Sequence, residues 1–281
     1  MASIETFALV SAAVFGLLVG SFLNVVIHRL PRRGETKATG SRSRCPECGA
    51  LIAWYDNVPL FSWLALRGRC RACRTPISPR YLLVEALTGA LFAAVAWRFV
   101  IEPGLVLDPV AWGAAVARAA FVSALVAATF IDLDFRIIPD AITIPGMMIA
   151  PIAVLLFPRL LDAPRADEGL YRSLVGVAAG AGVILAVGWL GKLLFKKDAM
   201  GFGDVKYMGL IGGFLGWQGA LLTFLVSCFA GSIIGVAVLV IKKSHYIPFA
   251  PFLSIGALAA LFFRAEILTF VFDTYPGLFR G

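Results

Sequence analysis

Long uncharged stretches alternate with short charged ones along this chain of 281 residues. A helix needs about 20 apolar residues to cross the hydrocarbon core of a bilayer, and the uncharged run 7–27 meets that length. Glu5 precedes this run and basic residues follow it, whereas a cleaved signal peptide has basic residues ahead of its apolar run. The pattern therefore predicts a retained first span with its N-terminus outside.

Further nearly uncharged runs predict more membrane spans. Five of them can each form one span, and they occupy 86–101, 110–131, 141–158, 173–191 and 246–263. The run 207–241 has 35 residues, which as a helix is about 52 Å long and exceeds the roughly 30 Å core. We divide it near Trp217, Gln218 and Gly219. The result is an all-α polytopic membrane protein with about eight transmembrane helices.

Composition and charge agree with this topology. The chain is 60% hydrophobic and 15% charged, with a mean hydropathy of +0.88, which is more apolar surface than a soluble fold of this length buries. Its net charge of +8 does not require nucleic acid, because basic residues orient membrane spans. The loops expected inside hold 18 of the 25 Lys and Arg residues, and they are 29–80, 132–140, 192–206 and 242–245. The outer segment 159–172 is expected to be a plain connector.

The segment after the first span carries four cysteines in two pairs. Cys45 and Cys48 form the first pair and Cys70 and Cys73 the second, a spacing typical of four thiolate ligands to one tetrahedral zinc ion. In a reducing cytoplasm two disulfides are disfavoured, and so short a segment has little core of its own. Because four thiolates fill the coordination sphere, the predicted metal is structural.

The candidate catalytic groups are carboxylates near the ends of spans, where charged residues are costly and often functional. Asp132 directly continues a span, whereas Asp134 and Asp140 lie further out, where solvated or capping roles suffice. Asp204 follows two glycines, Gly201 and Gly203.

One out-and-back hairpin separates Asp132 from Asp204, so both are expected at the cytoplasmic face. Facing carboxylates can share a proton and act as base and acid in hydrolysis. The chain's only histidines are His28 and His245, and no Ser-His or Cys-His pair competes.

Several motifs together resemble the bacterial type IV prepilin peptidases, a family of bifunctional leader peptidases and N-methyltransferases of the GxGD aspartyl protease type. The motifs are GSFLNVVIHRLP at 20–31, the two cysteine pairs, WYDNVPLFSWL at 54–64, SPRYLLVE at 78–85, DLDFRIIPD at 132–140, GFGDVK at 201–206 and IPFAPF at 247–252. They extend along nearly the whole chain.

The resemblance implies that Asp132 and Asp204 are the catalytic pair of an inner-membrane aspartyl endopeptidase. It implies cleavage of the short basic leader of prepilins or pseudopilins at the cytoplasmic face, followed by methylation of the new N-terminus from S-adenosylmethionine. It also implies three regions: the first transmembrane helix (1–28), a cytoplasmic four-cysteine zinc domain (29–81) and the protease core (82–281).

The residues themselves indicate no conventional nucleotide site, because no G-x-G-x-x-G turn follows a predicted strand. Five polar residues near the zinc segment are candidates to line a methyl-donor site: Asn24, His28, Asp56, Asn57 and Glu85. For each of them, a structural role at a span end is at least as well supported.

Two other classes of function compete with the peptidase. An ion-coupled transporter could use the two aspartates, but transporters place such sites near the midplane and often between repeats, and this chain shows no repeat. A membrane-anchored zinc ribbon could bind nucleic acid or anionic lipid through its arginines. Topology and lipid headgroups already account for that basic loop, so we expect membrane lipid and a prepilin as partners and no nucleic acid.

Overall fold

The computed structural model describes residues 2–32, 44–45, 47–196, 201–242 and 248–270. These residues form helices and contain only two isolated β-bridges. The α-helices are α1 (Ala2–Arg29), α2 (Phe61–Ala65), α3 (Arg80–Ala96), α4 (Pro109–Phe135), α5 (Asp140–Leu156), α6 (Ala166–Phe195), α7 (Phe202–Lys242) and α8 (Ala250–Thr269). The predicted all-α fold is confirmed for this part of the chain.

Six of the described helices are long and apolar enough to cross a membrane: α1, α3 with the π-helix Trp97–Ile101 that follows it, α4, α6, α7 and α8. Helix α5 is apolar but has only 17 residues. Helix α7 is interrupted at Gly216, whose backbone is left-handed (φ 71°), one residue before the predicted division of the long run. The chain is therefore a multi-pass membrane protein.

The expected plain connector at 159–172 is wrong. A 3₁₀-helix covers Pro158–Leu161, and α6 begins at Ala166. Asp167 and Glu168 lie in the first turn of α6, where negative charge interacts favourably with the helix dipole. The polar sequence thus starts a helix and does not only link two spans.

The chain divides into two compact units, Met1–Ile131 and Asp132–Gly281. In the first unit α1 packs on α3. Gly16 and Gly20 of α1 face α3 so closely that a Cβ at Gly20 would lie 2.8 Å from Glu85 Cα. Small residues spaced by four allow this kind of approach between membrane helices.

In the second unit α7 lies at the centre and packs on α5, α6 and α8. Its first half is enclosed, and Tyr207, Met208, Leu210 and Ile211 have no exposed surface. Asp204 is in the first turn of this half, so it lies at the start of the enclosed part of α7.

Candidate active site and cysteine cluster

Asp132 lies near the end of α4, and only 6% of the residue is exposed to solvent. Its Oδ2 accepts a hydrogen bond of 3.0 Å from the backbone N–H of Ala250, the first residue of α8. A helix start offers unpaired N–H groups and a favourable dipole to an anionic oxygen. The segment that resembles the C-terminal family motif therefore holds this carboxylate through its backbone.

Asp204 lies in the first turn of α7 and is half-buried. Its Oδ2 accepts a hydrogen bond of 3.2 Å from the Gly201 N–H, and its own N–H donates to the Gly201 carbonyl at 3.1 Å. The side-chain bond is one half of a helix capping box, and Gly201, which has no side chain, cannot supply the other half. Asp204 thus has a local capping role, which a catalytic role does not exclude.

The structure places the two aspartates in the same compact unit. Two contacts join their motifs. Lys206 Nζ lies 2.6 Å from Asp140 Oδ1, and a Cβ at Gly203 would touch Ile138 Cβ at 3.4 Å. The segment after Asp132 and the segment around Asp204 are therefore packed side by side.

A buried polar contact links α7 and α8 behind the aspartates. The Tyr207 hydroxyl and the Ser254 hydroxyl are 2.6 Å apart, and Ser254 also donates to the Ala250 carbonyl at 2.9 Å. Tyr207 is one turn beyond Asp204, and Ala250 is the residue that holds Asp132. The pair therefore connects the supports of both carboxylates.

The four predicted metal ligands also come together. The Sγ atoms of Cys45, Cys48, Cys70 and Cys73 lie within 4.8 Å of one another, and those of Cys45 and Cys73 are 3.8 Å apart. A tetrahedral site with Zn–S bonds of about 2.3 Å has S–S edges of about 3.8 Å. The cluster therefore fits a metal ion that needs thiolate ligands.

Each cysteine pair sits in the same kind of turn. The first cysteine N–H donates to the carbonyl five residues on, from Cys45 to Ala50 and from Cys70 to Thr75, both at 2.9 Å. The residue four positions on is left-handed in both turns, with φ 70° at Gly49 and 62° at Arg74. Two copies of one backbone turn thus present two thiols each.

Hydrogen bonds with the Thr75 hydroxyl and backbone lower the pKa of Cys73 to about 6. At Cys48 a hydrogen bond with the Ala50 backbone acts in the lowering direction, but the neighbouring thiols Cys45 and Cys73 outweigh it and raise the pKa to about 11. The cluster therefore favours thiolate at one position and retains a proton at another. A cation bound among the four sulfurs would displace that proton.

Three of the five residues proposed to line a methyl-donor site form side-chain hydrogen bonds within the first unit. Asn24 donates to the Tyr81 carbonyl at 3.1 Å, and Glu85 accepts from the Leu60 N–H at 2.9 Å. Asp56 accepts two hydrogen bonds from Arg71, at 2.6 and 2.7 Å, which lower its pKa. His28 and Asn57 are exposed. These contacts do not bring the five residues into one site.

Comparison with known proteins agrees with the resemblance inferred from the motifs. Residues 14–99 match the bacterial peptidase A24 N-terminal domain, and residues 119–236 match the type IV leader peptidase family. No solved structure matches.

Relatives called prepilin leader peptidase/N-methyltransferase occur in several bacteria. One from Myxococcus xanthus is 43% identical over 230 residues, which cover 80% of this chain and 62% of that protein. Those from Aeromonas hydrophila and Stutzerimonas stutzeri are each 38% identical, over 90% and 91% of both chains respectively. With identity of this degree over nearly the full length of both partners, the chain belongs to the type IV leader peptidase family.

Proposed function

We propose that this chain is a prepilin leader peptidase that uses Asp132 and Asp204 as its catalytic dyad. The observation that carries the proposal is that the two motifs, far apart in sequence, pack side by side in one compact unit, with Lys206 Nζ 2.6 Å from Asp140 Oδ1. The names of the relatives supply the substrate class, the precursors of type IV pilins or pseudopilins. The sequence offers no Ser-His or Cys-His pair as an alternative set of catalytic residues.

The chemistry follows from two carboxylates that share one proton. The ionised one takes a proton from water, whose oxygen attacks the carbonyl carbon of the scissile bond, while the protonated one gives its proton to the carbonyl oxygen. As the tetrahedral intermediate collapses, the first carboxyl gives the proton it took from water to the amide nitrogen, and the second takes a proton from a hydroxyl of the intermediate. The C–N bond breaks, the leader leaves with a new carboxyl group, and the amine becomes the new N-terminus. The backbone donors at Ala250 and Gly201 fix the orientation of the two groups during these steps.

The remaining features of the proposal are topological. Eight spans result if α5 crosses the membrane and α7 counts as two helices divided at Gly216. With the N-terminus outside, the dyad faces the cytoplasm from the bacterial inner membrane, in accordance with the distribution of basic residues. The cysteine cluster then holds a structural zinc ion in a cytoplasmic domain at 29–81, ahead of a protease core at 82–281.

A second activity, methylation of the new N-terminus, is also part of the proposal. It rests on the names of the relatives, which include N-methyltransferase, and S-adenosylmethionine is the methyl donor that the family resemblance implies. Incubation of cleaved substrate with labelled S-adenosylmethionine tests it. Absence of label in the product would reduce the chain to a peptidase.

The peptidase is tested by leader cleavage of a prepilin with purified Asp132→Asn and Asp204→Asn. Each asparagine keeps an oxygen that can accept the backbone hydrogen bond, so the support and the helix cap remain while the acid–base group is lost. We expect the rate of leader cleavage to fall about 10²–10⁴-fold in each variant. Asp134, which is exposed, gives the matched control Asp134→Asn. Full activity of either dyad variant would contradict the assignment of that residue.

A further inference from the structure

Between the two cysteine pairs, four large apolar side chains point away from the protein. Tyr55, Val58, Phe61 and Leu64 are 52%, 42%, 76% and 61% exposed. They recur every third residue, with Tyr55 in the 3₁₀-helix Trp54–Asn57, Val58 directly after it, and Phe61 and Leu64 in α2. We call these four residues the apolar stripe.

The opposite side of this segment is occupied within the first unit. Ser62 Oγ donates to the Tyr55 carbonyl at 2.9 Å, and Trp63 Nε1 donates to the Ile77 carbonyl at 3.2 Å. The Trp63 ring also lies so close to Gly68 that a Cβ there would be 2.8 Å from it. The segment thus has an inner side that holds the fold and an outer side formed by the stripe.

One hydrogen bond fixes the depth of the stripe relative to the spans. Leu60 N–H donates to Glu85 Oε2 at 2.9 Å, and Glu85 lies five residues, or about 7.5 Å, beyond the first residue of α3. A Cβ at Gly20 of α1 would lie 2.8 Å from Glu85 Cα, and Gly20 precedes the end of α1 by nine residues, about 13.5 Å along its axis. Leu60 is therefore held beside α1 and α3 by a residue that lies within the candidate membrane span Arg80–Ile101.

The backbone at this anchor is strained. Leu60 has φ 61° and ψ −49°, and the Phe61 N–H donates to the Pro59 carbonyl at 2.6 Å, the geometry of the rare γ-turn. Such a conformation persists only where the surroundings impose it. The bond to Glu85 supplies that constraint and turns Phe61, the most exposed member of the stripe, outward.

The segment that carries the stripe is rich in arginine, and one arginine contacts the stripe. Residues 44–80 contain six arginines and two acidic residues, and Arg67, Arg69, Arg71 and Arg74 are exposed. Arg71 lies over the Tyr55 ring at 5.6 Å. An apolar face bordered by arginine is the pattern of segments that lie in the interface of membranes with anionic lipids.

We propose that the apolar stripe inserts into the membrane interface, on the face where α1 ends and α3 begins, and contacts anionic phospholipid. The occupant is lipid because the anchor at Glu85 holds the segment beside two spans, at a depth where water gives way to headgroups and acyl chains. This assignment requires the membrane insertion of α1 and α3 but is independent of the peptidase chemistry.

The test uses the full chain with benzoylphenylalanine in place of Phe61, reconstituted in nanodiscs of phosphatidylethanolamine and phosphatidylglycerol. Ala72, exposed between the cysteines of the second pair, receives the same photoreactive group as the matched control. After irradiation, intact-mass spectrometry should find chain plus one phospholipid, severalfold more often at Phe61 than at Ala72. Phosphatidylglycerol should exceed its share of the disc lipid in the adducts.

Equal yields at the two positions, or no lipid adduct at Phe61, would overturn the proposal. If the two lipids are captured in proportion to the disc composition, the stripe has no preference for anionic phospholipid, and that part of the proposal is wrong. A purified prepilin added before irradiation provides a further arm. If it abolishes the lipid adduct and is itself captured at Phe61, the stripe binds substrate and the assignment to lipid is wrong. Both arms give a result in a catalytically inactive chain.

Discussion

Among the described glycines of the second unit, Gly176 of α6 and Gly212 of α7 leave the least room for a Cβ, and this predicts the effect of Gly176→Ala. A Cβ at Gly176 would lie 2.0 Å from the carbonyl oxygen of Gly212, and a Cβ at Gly212 would lie 2.0 Å from the carbonyl oxygen of Gly176. Real Cβ contacts are essentially never shorter than 3.0 Å. The neighbouring atoms belong to the backbone, so a rotamer change cannot relieve the clash.

The magnitude follows from that distance. The helices must separate by about 1 Å or more at this point, and a displacement of that size can cost about 10²-fold in rate when it reaches a catalytic group. Asp204 is eight residues from Gly212 on α7, about 12 Å along the axis. Overpacking typically costs about 1–3 kcal/mol, which exceeds the roughly 1 kcal/mol that alanine gains over glycine in a helix.

The assay compares leader cleavage and thermal unfolding in detergent for Gly176→Ala and Gly182→Ala. Gly182 is on the same helix, and a Cβ there would meet nothing within 4 Å, so this variant should keep its activity and be at least as stable as the parent. Wild-type cleavage and stability of Gly176→Ala would refute the reasoning. So would an equal loss in Gly182→Ala, since the effect would then not come from the α6–α7 contact.

Three further predictions concern the site and the cysteine cluster. Lys206→Met removes the ion pair to Asp140 and should lower the free energy of unfolding by about 0–1 kcal/mol and the cleavage rate severalfold. Lys206→Arg should retain most activity. Equal cleavage rates in the two variants would show that the position does not need a positive charge. Tyr207→Phe removes one buried hydrogen bond and should cost about 1 kcal/mol of unfolding free energy, and a rate loss above about 10²-fold would instead indicate a chemical role. Cys70→Ser should lose bound metal by mass spectrometry and unfold at lower temperature, while Cys228→Ser on α7 should retain both; metal retained in the first would contradict the four-thiolate site.

The helical fold could be predicted because bilayer thickness limits the length of an apolar run. The run 207–241 was too long for one span, and α7 is interrupted at Gly216, within the predicted neighbourhood. Helix ends were less predictable. The start of α6 at Ala166 lay inside an expected connector because polarity alone does not distinguish a loop from a charged first turn.

The cysteine spacing likewise predicted a cluster that the structure contains, since two short pairs of thiols leave few other arrangements. The helix contacts were missed although the sequence carries a signal for them. Gly16 and Gly20 in α1, and Gly176 and Gly180 in α6, have the spacing of small residues at helix interfaces. The pattern was present in the sequence, but the partner of each helix depends on the fold.

The backbone hydrogen bonds that hold the two aspartates could not be predicted from the sequence. Both carboxylates accept hydrogen bonds from backbone N–H groups at helix starts, Asp132 from Ala250 and Asp204 from Gly201. Nearly every residue has a backbone N–H, so the sequence does not mark which residue will donate. Ala250 is also 118 positions from its partner. Because an asparagine oxygen can accept the same bonds, the dyad positions can lose their acid–base group without losing their support. A loss of cleavage in those variants would then report on the proton transfer itself and not on the loss of these backbone hydrogen bonds.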